Sequence, residues 1–162
     1  DIFNDRLWPD FIRLSEQESP FLELQTLRPE IPVVLPGLTV TPVLLKHLVP
    51  TMGFILQDAD STVAVVSDTS PTQRIWEVLA ATENLRAVIL DCSFPDSLRW
   101  LADKSGHLCP ELFAEEIHRL PESVQVIAYH LKPCFFGEIE RELKAIRRAN
   151  LEIGVTGREY VF

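Results

Sequence analysis

Three apolar runs in this sequence each end in a short polar stretch that carries side chains able to do chemistry. Ser61–Val66 runs into Ser67-Asp68-Thr69-Ser70-Pro71, Leu85–Leu90 into Asp91-Cys92-Ser93-Phe94, and Val124–Tyr129 into His130-Leu131-Lys132-Pro133. In open α/β sheets, ligands gather beyond the carboxyl ends of the strands, where loops meet helix N-termini. A carboxylate and an imidazole at neighbouring strand ends are ligands for a borderline divalent ion such as zinc, so Asp68 and His130 are candidate metal-ligating residues. Each residue also has a structural reading. Ser70, Pro71 and Gln73 have the spacing of a helix capping box, a turn that Asp68 could simply support. Asp91 could cap the turn after its strand, and His130 could be an edge histidine satisfied by its neighbours.

The elements that must position these residues follow from the periodicity. Residues 1–20 hold Trp8-Pro9 and aromatic anchors without clean periodicity, and read as an irregular segment or one helical turn packed on the domain. From Phe21 to Asp58 the pattern is extended and broken by Pro and Gly, which predicts three or four antiparallel strands. After Asp60 the period changes. Strands over 61–68, 85–92 and 124–130 alternate with helices over 71–84, near 96–103, over 109–120 and over 136–146. Leu112, Phe113, Ile117 and Leu120 fall on one helical face, and Phe136, Ile139, Leu143 and Ile146 on another, with Glu140 and Lys144 paired at i,i+4. Hairpins followed by strand–helix alternation predict an α/β fold: a mixed sheet covered by helices.

Bulk properties narrow the function. With 162 residues and 46% hydrophobic content, the chain is expected to form a single domain over 1–162, with 1–60 irregular and antiparallel and 61–162 alternating. A net charge of −9 repels a phosphate backbone, which makes nucleic acid an unlikely partner and leaves a small phosphate ester open, since a metal supplies positive charge locally. No apolar run reaches the length of a membrane span, so no membrane association is expected. Cys92, Cys109 and Cys134 are odd in number and form no C-x-x-C pair, which fits a reduced, cytoplasmic setting.

Six stretches in order resemble one family. Ser67-Asp68-Thr69 between an apolar strand and a helix resembles the metal-bridging aspartate motif of metallo-β-lactamase-fold hydrolases, and Tyr129-His130-Leu131-Lys132-Pro133 resembles their last metal histidine in the H-x-K-P form of class II cyclic-nucleotide phosphodiesterases. The same class is matched by Ile2-Phe3-Asn4 with Trp8-Pro9-Asp10-Phe11, by His47-Leu48-Val49-Pro50-Thr51-Met52-Gly53-Phe54, by Asp91-Cys92-Ser93-Phe94-Pro95 and by Ser105-Gly106-His107-Leu108-Cys109-Pro110. The resemblance implies an αββα sandwich and hydrolysis of a 3′,5′-cyclic nucleotide by metal-activated water, with two divalent ions, commonly zinc. It implies that Asp68 bridges the ions, that His130 ligates one of them, and that His107 is catalytic, donating a proton to the leaving oxygen or stabilising charge on phosphorus; an exposed loop histidine is its other reading. Lys132 and Thr69 become the substrate-binding candidates, and His47 and Asp91 structural or pocket-lining ones.

The same resemblance shows what is lacking. Such a site takes most of its metal ligands from an H-x-H-x-D-H block, and no such spacing occurs among His47, His107, His118 and His130. A further ligand histidine in the family lies close to the Ile2-Phe3-Asn4 stretch, where this chain has Asp1. The sequence is therefore expected to be the C-terminal portion of such a domain, an incomplete sandwich, weak in metal binding and inactive alone, with a homodimer as one way to cover exposed apolar surface. The alternatives are a non-catalytic remnant serving as an oligomerising or ligand-binding module, and a relative that hydrolyses RNA ends or another ester. His118, beside Glu115 and Glu116, is expected to face solvent.

Overall fold

The change of period near Asp60 is the point at which the sheet changes character. In the computed structural model, which describes residues 4–17, 21, 22 and 24–162, seven strands form one sheet in sequence order. The strands β1 (Val33–Leu35), β2 (Leu38–Leu45), β3 (Thr51–Gln57) and β4 (Thr62–Val66) pair antiparallel. From β4 the sheet continues in parallel through β5 (Leu85–Asp91), β6 (Gln125–Tyr129) and β7 (Leu151–Ile153). The fold is α/β with a mixed sheet. Phe21–Leu27, which has strand-like alternation, joins no strand among its described residues. The helix α1 (Phe11–Gln17) starts at Asp10, whose carboxylate accepts the Arg13 N–H at 3.0 Å. Trp8 is 59% exposed, so it is not the packed anchor expected of it. Of the stretch 2–4, Ile2 and Phe3 lie outside the described residues, as does Asp1.

The parallel half explains where the helices lie. The connections are α2 (Arg74–Ala80) between β4 and β5, α3 (Arg99–Ser105) and α4 (Pro110–Ile117) between β5 and β6, and α5 (Phe136–Ala145) between β6 and β7. Each crossover moves one strand further in the same direction, and right-handed crossovers then put every helix on one face. Ile75, Leu79, Ala102, Phe113, Ile117, Ile139 and Leu143 pack there against Ala64, Val66, Val88, Leu90, Val126 and Ala128 in a single core cluster. Of the stripe expected on the last helix, Phe136 is the exception, at 44% exposed.

The opposite face is also apolar. Pro42, Phe54, Val65, Ile89 and Ile127 lie in register across five strands, and Val40, Leu56, Val63 and Ala87 form a second row. Strands covered on both sides read as continuous apolar runs, yet no helix of the core cluster reaches this side, and Phe54, Leu56, Val63, Val65 and Ile89 stay half-buried. Asp91 pairs with Tyr129 at the carboxyl end of this same face.

One local expectation fails. The helix after β4 starts at Arg74, with Gln73 at the cap position and no side-chain cap hydrogen bond, so Ser70, Pro71 and Gln73 do not form a capping box. Tertiary partners have taken the groups a cap would serve. The Ser70 N–H donates to the Lys46 carbonyl at 2.7 Å, and the Thr72 N–H donates to Glu116 on α4 at 3.1 Å.

Candidate metal centre

Three loops at the carboxyl ends of β4, β5 and β6 converge on one spot. The loop after β4 is held by Ser67 Oγ donating to the Met52 carbonyl at 3.2 Å, and by the Ser70 and Thr72 contacts; it carries Asp68. Asp91 is the last residue of β5 and is fully buried. His130 follows β6 directly with φ of +64°. That left-handed conformation costs a residue with a Cβ about 1–2 kcal/mol, although His tolerates it better than most. Strain of this kind persists where surrounding contacts over-determine it, as at functional sites. Here the ring Nδ1 lies 3.0 Å from Asp68 Oδ1 and 3.2 Å from Asp91 Oδ1.

His107 completes the group. It follows Gly106, whose φ of +78° ends α3 in the left-handed conformation that glycine adopts without penalty. A Cβ on Gly106 would meet His47 Nδ1 at 2.7 Å, so close approach also requires glycine here. His107 Nδ1 lies 3.0 Å from Asp91 Oδ2. Asp68, Asp91, His107 and His130 each offer a ligand atom, and these four atoms lie within 4.8 Å of one another. Two carboxylates and two imidazoles form a donor set suited to zinc or a similar borderline ion.

Asp91 organises the cluster. Its Oδ1 accepts from Ser93 Oγ at 2.6 Å, and its Oδ2 accepts from the Leu108 N–H at 3.1 Å and faces His107. Burial alone pushes this carboxyl up, but hydrogen bonds from His107, His130 and Ser93 outweigh it and hold the group below the usual carboxylate range. The hydrogen bond to Asp91 raises His130 above the ordinary imidazole value.

The expected site residues divide clearly. Asp68, His130 and His107 are brought together. The reading of His107 as an exposed loop histidine is overturned, since its side chain is buried at 8% exposure. Asp91, expected as structural or pocket-lining, stands at the centre. Lys132 sits at the rim, with Nζ 3.5 Å from His130 Nε2 and 5.9 Å from the Phe94 ring centre. His47 lies one layer back, its Nδ1 bonded to the Gly106 carbonyl at 2.8 Å and its ring 5.1 Å from that of His107. Thr69, the other substrate-binding candidate, is fully buried, and its hydroxyl donates to the Ser70 carbonyl at 2.8 Å. His118 is exposed, as expected, whereas its neighbour Glu116 is buried. Ser93 was not singled out, although its place two residues after Asp91 was a usable signal. Cys92 and Cys109 are buried thiols that desolvation pushes up, Cys109 to about 11, which makes them inert packing groups.

No family model matches the chain, and no curated protein matches it in sequence. Solved structures do match in fold. The metallo-β-lactamase fold protein YhfI from Bacillus subtilis is 17% identical with a TM-score of 0.71, over 93% of this chain and 61% of that one. A diphosphatase of the PhnP family is 15% identical with a TM-score of 0.66, over 98% and 56%. Zn2+-bound PqqB from Methylobacterium extorquens is 13% identical with a TM-score of 0.61, over 90% and 60%. The sheet and helices are thus those of the metallo-β-lactamase fold, and the chain spans about three-fifths of the length of these structures.

Proposed function

We propose that this chain contributes one side of a metal-dependent phosphodiesterase site for a small, cyclic-nucleotide-like ester. The observation that carries the reading is the convergence of Asp68, His130 and His107 on one open edge of the sheet, with the Lys132 ammonium beside them. Asp68 and His130 would hold a divalent ion, zinc fitting the donor set; such an ion polarises the phosphoryl oxygen and lowers the pKa of its water. His107, buried and anchored on Asp91, is placed to give a proton to the departing alkoxide, and Lys132 adds positive charge where a phosphate would lie. That one solved structure of the same fold is a diphosphatase and another is Zn2+-bound adds support at the level of fold.

These 162 residues contain no H-x-H-x-D-H block, and a catalytic zinc site takes three or more protein ligands. The residues present are therefore expected to bind metal weakly and to give no turnover by themselves. The reading is tested by titrating cyclic AMP into the chain with and without zinc, alongside zinc content after dialysis and a hydrolysis assay. Metal-dependent nucleotide binding that weakens in Lys132→Ala, with little retained zinc and no hydrolysis, is the expected result. Absence of any metal-dependent binding of a phosphate ester overturns it, and rapid turnover shows that the ligands are misassigned. A second reading, a non-catalytic module that self-associates, is favoured by the half-buried apolar rows around Phe54, Val65 and Ile89.

A further inference from the structure

The structure assigns His47 as a positioning residue for His107: its Nδ1–H holds the Gly106 carbonyl and so fixes where the next imidazole stands. The assignment deepens the phosphodiesterase reading, and rests on it for what His107 does once in place. Of residues 46–50, which join β2 to β3, Lys46, Leu48, Val49 and Pro50 are exposed, Leu48 at 70% and Val49 at 60%. His47 alone among them turns inward and is half-buried. Leaving Leu and Val in water while drawing in an imidazole reverses the usual preference, so a specific contact must hold the ring there.

That contact meets a need of the His107 turn. Gly106 ends α3 in the left-handed region with φ of +78°, and glycine restrains the chain least of all residues. The His107 N–H donates back into the turn, to the Ala102 carbonyl at 2.9 Å. The Gly106 carbonyl is bonded from outside, by His47 Nδ1 at 2.8 Å, across 59 residues of sequence. A carbonyl oxygen only accepts, so His47 Nδ1 must carry the hydrogen. The two imidazoles also meet edge-on, 5.1 Å between ring centres and 62° between planes, an arrangement aromatic rings favour. A Cβ on Gly106 would stand 2.7 Å from His47 Nδ1 and 3.3 Å from the Leu48 nitrogen, so turn and loop are as close as glycine permits. The loop is itself fixed. Leu45 pairs with Thr51 at its base, and the Lys46 carbonyl accepts the Ser70 N–H at 2.7 Å. One short loop is therefore bonded both to the segment that carries Asp68 and to the turn that carries His107, and His47 is the side chain that makes the second bond.

The test separates the donor from the ring. His47→Asn keeps an N–H near the Nδ1 position and loses the ring, whereas His47→Ala loses both. In metal-free, 15N-labelled protein at a pH where His47 is neutral, long-range 1H–15N correlation should show His47 as Nδ1–H. In His47→Ala the His107 ring signals should move, and its backbone amide should exchange about 2- to 10-fold faster, the effect of losing one hydrogen bond. The Ser70 and Phe113 amides, bonded to Lys46 and within α4, should exchange as before. In His47→Asn, His107 should exchange at close to its original rate. An Nε2–H signature for His47 overturns the assignment, as does a His107 that responds equally to Asn and Ala, or to neither. Faster exchange at Ser70, Phe113 and His107 alike marks His47 as a packing residue and overturns it too. The tautomer in the unsubstituted chain decides if neither variant folds. Because no metal or nucleotide is present, a chain that never binds a phosphate ester refutes the phosphodiesterase reading and leaves the placing of His107 by His47 to be judged by these spectra.

Discussion

Glu116 ties the loop that carries Asp68 to a helix more than 40 residues further along the chain. Its carboxylate is 1% exposed, and one oxygen, Oε2, accepts both the Thr72 N–H at 3.1 Å and the Trp76 indole N–H at 2.6 Å. The other oxygen is 3.6 Å from Arg119, whose side chain is half exposed. Glu116→Ala leaves two donors without a partner, each costing about 1–3 kcal/mol. A loss of about 2–6 kcal/mol is expected, and at roughly 2–4 °C per kcal/mol for a domain of this size Tm should fall by about 4–24 °C. Glu116→Gln behaves differently, because a single carbonyl oxygen in the Oε2 position serves both donors. It should cost only about 1 kcal/mol, the difference between charged and neutral acceptors. Thermal unfolding followed by circular dichroism, with the Trp76 indole N–H read by NMR, distinguishes the two. Equal destabilisation by Ala and Gln would refute the reasoning, since it would mean that the charge matters and the shared acceptor does not.

Gly106→Ala should cost at least about 1–2 kcal/mol from its positive φ, and more from the clash with His47 Nδ1; a changed His107 ring environment by NMR, together with a lower Tm, checks it. Stability of the metal-free chain should vary with pH in a defined way. The raised His130 contributes fully below its unfolded value of 6.5 and its contribution is lost as pH rises through its folded value. The depressed Asp91 contributes above 3.8 and its contribution is lost as pH falls through its folded value, so these two groups together favour the folded state most between 3.8 and 6.5. Urea denaturation across pH 3 to 9 tests this, and stability rising steadily above pH 6.5 would count against the His130 contacts. Zinc should show the opposite trend above 6.5, binding more tightly as His130 loses its proton. On the sheet face opposite the helices, Leu56→Lys should reduce any self-association seen by sedimentation velocity without lowering Tm by more than a few degrees, because Leu56 is only half-buried.

The strands bearing the site were readable because apolar runs ending in polar residues mark strand ends whatever the surrounding fold. Asp68 and His130 were found that way. Asp91 was legible as a strand end, but its partners were not, because His107, Leu108 and His130 lie 16, 17 and 39 residues away and no local pattern reports them. The capping signal at Ser70 failed for a related reason: the Thr72 N–H finds Glu116 across the fold, and a tertiary acceptor that is already buried wins over a local cap. Thr69 sits inside the aspartate motif, yet the turn points its side chain into the core, and motif membership carries no information about facing. That both sheet faces are apolar was visible in the sequence as unbroken runs. The one-sided placement of the helices followed only once the strand order was known.

Zinc affinity compared across three chains tests the central claim most directly. Calorimetric titration of the unsubstituted chain, Asp68→Asn and His130→Gln should show weak binding that falls at least tenfold in each variant while circular dichroism stays the same, since both side chains are more than a third exposed and neither belongs to the core. Binding of equal strength in all three chains, or no specific binding in the unsubstituted one, would contradict the assignment of Asp68 and His130 as the ligands this fold brings together.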